Sequence, residues 1–208
     1  MSPELFDKTV TGILKSMESN PKKRNIFIQA LSSLAKTAGS KLSKHVEAIS
    51  PQLLSAIDTK GETKEDNLLK ESAIQCFRSF FVSCRSSVEK YFDTVLEKSI
   101  EYISYDPNIA EEDDDDDEDD DGDDEEEDED DESDYDQDEV IDDNTWQIRR
   151  ACAKILSTII FTTQTKSKEL CEKIGPIVIK RFNEREETVR NEVFELFRFF
   201  KNFQFFFF

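Results

Sequence analysis

An all-α fold made of stacked helix pairs is predicted by three observations in this 208-residue sequence. Apolar residues recur with helical rather than strand spacing nearly everywhere. Only five glycines are present, and no Gly-rich hairpin turn interrupts the chain. The helical pattern also repeats. Sets with four-residue spacing occur as Ile26, Ala30 and Leu34, as Leu69, Ala73 and Phe77, as Ile148, Cys152 and Leu156, and as Val189, Val193 and Phe197. The steps between successive sets are 43, 79 and 41 residues. With an insert the size of the acidic run after Glu111 removed from the long step, a period of about 40 to 45 residues remains. That is the period of a HEAT or armadillo-type α-solenoid, a right-handed superhelix of helix pairs. The twelve residues of these sets are the expected repeat core. The modest middle residue lets a neighbouring helix approach, and each bulky outer one contributes about 1.5–3 kcal/mol when buried.

The elements follow in order. Residues 1–18 read as the second helix of an incomplete repeat, and 22–58 as a full repeat whose second helix places Val46, Ile49, Leu53 and Ile57 on one face. Residues 65–104 form the next, with Val88, Phe92, Val95 or Leu96, Ile100 and Ile103 on its second helix. Residues 144–182 form the third, with Leu170, Ile174, Ile177 or Val178, and Phe182; 186–204 open a further repeat. Pro51 and Pro176 fall inside second helices and should kink them or mark a first turn. Ser86-x-x-Glu89, Asn144-x-x-Gln147 and Asn183-x-x-Glu186 resemble capping boxes. "TKGET" around Gly61 reads as a turn between repeats. A solenoid open at both ends is expected to be a piece of a longer array. The closing "NFQFFFF" reads as a truncation or gene-model artefact, with a hydrophobic docking tail as the competing reading.

Charge is unevenly placed. The net charge is −21, yet 27 of the 48 acidic residues lie between Glu111 and Asp143, where no Lys or Arg occurs. The remaining 21 face 27 basic residues, so the rest of the chain is net positive. A run this charged cannot bury enough apolar surface to offset its ordering entropy, and 111–143 is expected to be a disordered acidic loop. A solenoid tolerates it because each repeat contacts only its neighbours and lengthening a loop costs little. The run lacks the spaced ligands of a calcium loop. Its readings are counterion association or contact with a basic surface, in cis or in trans; it would repel nucleic-acid phosphates. No apolar stretch is long enough for a membrane span.

No enzymatic constellation is found. The single histidine, His45, reads as a surface or capping residue, and Cys76 and Cys152 as core. The four cysteines, with Cys84 and Cys171, form no CxxC pair, which fits a reducing cytoplasmic or nuclear setting. No metal or cofactor motif is present; the expected role is binding without catalysis.

Specific motifs sit on this frame. "EYISYDPN" at Glu101–Asn108, the acidic run, "TWQIRRACAKIL" at Thr145–Leu156 and "KRFNEREETVRNEVF" at Lys180–Phe194 resemble the cullin-associated and neddylation-dissociated protein family in order and spacing. The matching residues are Tyr105 to Asn108, then Trp146, Arg149, Arg150, Ala151, Ala153 and Lys154, with Ile148 where that pattern has valine, then Phe182, Glu184 to Glu187 and Val189. The resemblance covers essentially the whole chain but only a slice, in the N-terminal third, of a far longer array. It implies a scaffold that wraps an unneddylated cullin and its RING subunit, hinders neddylation and promotes exchange of substrate receptors on SCF-type ubiquitin ligases. Second helices line the binding surface of such stacks, so Lys90, Glu97, Lys98, Lys173 and Lys180 are the candidate partner contacts, with solvated faces as the bland alternative. Arg149 and Arg150 are open to two readings, a tie between neighbouring repeats, for which HEAT repeats often use an arginine here, or a partner contact. An importin-β-like transport receptor and an acidic histone chaperone are the competing functions.

Overall fold

The computed structural model describes residues 2–61, 63–105 and 143–204, and among these all regular structure is helical. The helices are α1 (Pro3–Ser19), α2 (Arg24–Ala38), α3 (Val46–Ile57), α4 (Lys64–Ser83), the single turn α5 (Arg85–Val88), α6 (Phe92–Ser104), α7 (Trp146–Thr162), α8 (Ser167–Lys180) and α9 (Glu187–Gln204). The chain is an all-α HEAT-type solenoid. First helices α2, α4, α7 and α9 lie side by side, and each second-layer helix packs on the first helix that follows it: α1 on α2, α3 on α4, α6 on α7, α8 on α9. The expected loop over 111–143 lies outside the described residues except for Asp143, as does the "FFFF" that ends the chain.

Local chemistry sets the boundaries. Ser2 Oγ accepts the Leu5 N–H, and Pro3 opens α1 where a missing N–H is harmless. Thr63 Oγ1 accepts the Asp66 N–H at 3.2 Å and donates to the Asp66 carboxylate at 2.6 Å, which starts α4. A side chain at Gly61 would collide with that carboxylate, at 2.0 Å. Gly39 ends α2 with a φ of 53°, a conformation glycine adopts without strain. The anticipated capping boxes do not form as such. The residues at which α5, α6 and α7 begin make no side-chain cap bond. At α7 the Asp143 carboxylate instead accepts the Thr145 N–H at 2.8 Å, and Glu184, not Asn183, accepts the Glu186 N–H. Pro51 and Pro176 both lie within continuous helices. Pro51 cannot donate to the Glu47 carbonyl one turn back, and the Tyr91 hydroxyl stands 3.5 Å from that oxygen.

The core runs the length of the stack. Ala73, Phe77, Ile148, Cys152, Leu156, Val189 and Val193 are buried as expected, and Leu69 is half-buried at the edge. The first set is displaced. Ile26 is 56% exposed, Ala30 and Leu34 are only half-buried, and Ile28, Leu31 and Ala35 take the core positions. Helix α2 carries two overlapping apolar stripes, and spacing alone does not choose between them. The buried stripe stands 46 positions before Ile74, Phe77 and Phe81 of α4. Phe197 is also corrected, being 38% exposed, with Leu196 and Phe200 buried in its stead. Among the described residues α9 meets a first helix, α7, on one flank only.

Burial decides what a truncation costs. Ile28→Ala should lower unfolding free energy by about 2–5 kcal/mol, whereas Ile26→Ala should change it by no more than about 0.5 kcal/mol, as read by urea titration. Equal losses at the two positions would contradict the burial pattern.

Candidate interaction surface

Two features distinguish the solenoid's second layer: a set of charges carried by its helices, and a buried ionic cluster where the chain departs after α6 and returns before α7.

The predicted contact residues divide into two groups. Lys90 pairs with Glu47 and lies over the Tyr91 ring, and Lys98 pairs with Asp58 and Glu101 at 3.1 and 3.2 Å. The bond to Glu47 raises the Lys90 ammonium above its ordinary value, and the bonds to Asp58 and then Glu101 do the same for Lys98. Lys98 therefore joins α6 to the end of α3, and Lys90 joins the turn before α6 to the start of α3. Glu97, Lys173 and Lys180 are exposed and make no ion pair among the described residues. They are the charges of this set available to an incoming surface. His45, expected at the surface or as a cap, is the capping residue that precedes α3; it makes no side-chain cap bond and is partly buried, with its Nε2 2.8 Å from the Asp7 carboxylate.

The cluster is centred on Arg149, which is 1% exposed. Its Nε and Nη2 each donate to one carboxylate oxygen of Glu184 at 2.9 Å, a bidentate pair. Nη1 donates to Thr145 Oγ1 at 2.7 Å, and Nη2 also meets the Asp143 carboxylate. Burial alone would pull this guanidinium down; its bonds to Asp143 and Glu184, with their charges, prevail and hold it above its ordinary value. Burial likewise pushes Asp143 up, but bonds from Arg149 and Thr145 prevail and hold it below the ordinary 3.8. Glu184 also faces Arg181 at 3.5 Å, and Arg181 Nη2 donates to the carbonyl of Ser104, the last residue of α6. One network thus holds both the point where the chain leaves the second repeat and the point where it enters the third. Beside it lies a recess of about 390 Å³ walled by Lys70, Tyr102, Tyr105 and Ile148. Its wall residue Asn67 donates to the Asn144 carbonyl at 3.2 Å, which adds a further tie between the two repeats.

Sequence reasoning treated Arg149 and Arg150 together, and the structure separates them. Arg149 bonds to Asp143 and Thr145 before its helix and to Glu184 after α8, while Arg150 lies over the Trp146 ring at 5.6 Å. Asp143 was grouped with the acidic run, Glu184 was named only as part of a motif and given no role, and Arg181 was not singled out. The usable signal was an acid directly before a helix that carries an arginine six residues on.

Comparison with known proteins adds to this geometry. A HEAT-repeat family model, described as stalled ribosome sensor GCN1-like, matches residues 14–109. Cullin-associated NEDD8-dissociated protein 1 of Dictyostelium discoideum is 36% identical over 206 residues, covering 94% of this chain and 17% of that protein. Its namesakes in Arabidopsis thaliana and Drosophila melanogaster are 34% and 31% identical, over 95% and 91% of this chain and 16% and 15% of theirs. The chain belongs to the cullin-associated NEDD8-dissociated protein family. It spans about one-sixth of the length of these curated relatives. In this family member the two motif segments that carry the resemblance, around Trp146 and after Lys180, supply opposite halves of the Arg149 cluster.

Two outcomes test the cluster. Arg149→Ala should cost about 3–5 kcal/mol in unfolding free energy, because it strands a buried carboxylate; Arg150→Ala, which loses a contact with an indole face and an attraction to Glu71, should cost about 0.5–1 kcal/mol. The sign of the pH effect follows from Asp143, whose carboxyl ionises at lower pH in the folded chain than in the unfolded one. Its contribution is complete above the ordinary value of 3.8 and is lost as pH falls through the lower, folded value. Asp143→Asn should remove that acid limb from a stability–pH profile.

Proposed function

We propose that this chain is a non-catalytic scaffold. In this reading it forms part of the solenoid surface that binds an unneddylated cullin with its RING subunit. It hinders neddylation of the cullin and promotes exchange of substrate receptors on SCF-type ubiquitin ligases. The supporting observation is 31–36% identity across more than nine-tenths of the chain to proteins named as cullin-associated. The job asks for no bond-making. A stack of helix pairs presents an extended surface, and charges at its rim set encounter rate and register more than affinity. Glu97, Lys173 and Lys180 suit that role. The 27 acids between Glu111 and Asp143 attract a basic protein surface and repel nucleic acid, over about 8 Å at physiological salt. Such a partner places the chain in the cytoplasm or nucleus.

Size-exclusion chromatography with a purified, unmodified cullin–RING core tests the reading. Co-elution is expected, together with its loss on a NEDD8-conjugated core. A Lys173→Glu, Lys180→Glu variant should bind about tenfold more weakly, a change of 1.4 kcal/mol. No co-elution, or capture of histones or a GTP-loaded transport GTPase in the cullin's stead, would overturn it.

A further inference from the structure

Three hairpins join first helices to second helices, and the third is short. Residues 39–45 link α2 to α3 and 84–91 link α4 to α6, but only 163–166 link α7 to α8. Counting back from the second helix, the fourth residue before it is Leu42, Val88 and Thr163, and the second is Lys44, Lys90 and Thr165. In the first two hairpins the aliphatic residue is wholly buried. The lysine reaches back to an acid of the preceding second-layer helix: Lys44 to Asp7 at 2.6 Å, Lys90 to Glu47 at 2.5 Å. The corresponding acid for the third hairpin is Asp93, second residue of α6 as Glu47 is of α3. Thr165 has no charge to offer it, and Asp93 makes no ion pair among the described residues. The adjacent Lys166 lies with its ammonium 5.2 Å over the Phe92 ring.

Where the first two junctions are plugged and paired, the third is therefore open. A groove of about 760 Å³ runs there, lined by Phe81, Phe92 and Phe161, by the acids Glu89 and Asp93 and by the cations Arg85 and Lys166. Phe161 is 55% exposed.

We propose that this groove is a docking site for a loop of a separate protein that carries an aliphatic residue followed, two positions on, by lysine. The molecule's own repeats are the template. The aliphatic side chain packs on the open face of Phe161, buried as Leu42 and Val88 are in the earlier hairpins, and the ammonium pairs with Asp93, as Lys44 and Lys90 pair with Asp7 and Glu47. Burial of the aliphatic group supplies the attraction, and the charge pair selects lysine over an acid at that position. The template segments of a second copy are no source for the loop, because Leu42 and Val88 are already buried in their own repeats.

The full chain is titrated with the capped peptide Ser-Ser-Val-Glu-Lys-Tyr, the sequence of residues 86–91. Expected are saturable NMR shifts at Phe161, Thr163 and Thr165, with a Kd on the order of 1 mM, and none with aspartate in place of the peptide's valine. Thr163→Val with Thr165→Lys restores the plug in cis and should raise Tm while abolishing the shifts. Phe161→Asp, at an exposed site whose ring also meets Phe199 of α9, should weaken binding at least about tenfold while circular dichroism stays unchanged. Shifts absent up to about 10 mM peptide, or unchanged in the restored variant, would overturn the proposal. So would a concentration-dependent dimer of the chain that Phe161→Asp dissolves, since a second copy would then be the occupant.

Discussion

The structure depends on the packing of each second helix against the first helix of the next repeat. α3 lies on α4 and α6 on α7, so each repeat completes the core of the one before it. Polar ties follow the same direction: the Tyr102 hydroxyl of α6 donates to the Ile57 carbonyl at the end of α3, at 2.7 Å. No helix of this chain is long and apolar enough to bury itself alone or to cross a membrane, among the described residues. Cohesion is therefore passed from neighbour to neighbour, and a lesion in one junction need not reach another.

The Arg149 cluster stands where that succession is interrupted. Between α6 and α7 the chain departs for more than thirty residues, and sequence proximity cannot bring the two repeats together there. A bidentate arginine–carboxylate pair has narrow geometric tolerance, so it fixes the two ends of the third repeat's helix pair against each other, and Arg181, beside Glu184, carries that frame to the Ser104 carbonyl of the second repeat. Its net contribution to stability is small because desolvating three charges is costly; what it supplies is orientation. Its partners come from both sides of the third repeat's helix pair, Asp143 before α7 and Glu184 after α8.

Much of the fold was legible in the sequence because helical spacing and repeat period are long-range, redundant signals. The two errors of register have one cause. In α2 and α9 an apolar residue one or two positions away heads a competing stripe on a different face, and only the neighbouring helix decides between Ile26 and Ile28 or between Phe197 and Leu196. The candidate surface was less legible. A lysine's charge is visible in a sequence, but Lys90 and Lys98 are held by acids 43 and 40 residues earlier, a distance no local pattern reveals. Glu184 was hidden for the same reason: it sits among other acids, and only burial beside Arg149 sets it apart.

The first helices are laced together by hydroxyl and amide groups as well as by hydrocarbon. Ser32 meets Ser79 at 3.0 Å, Gln29 meets Ser72 at 3.2 Å, Arg78 donates to Thr158 at 3.0 Å, and Lys154 pairs with Glu192 at 2.9 Å. A water molecule can stand in for either partner of such a bond with little enthalpic loss. Aliphatic contacts have no comparable substitute. Flexing the rod so that this ridge widens is thus energetically shallow, whereas prising apart the apolar seams of the other layer is steep. Compliance is directional: the stack can change its curvature without surrendering its core.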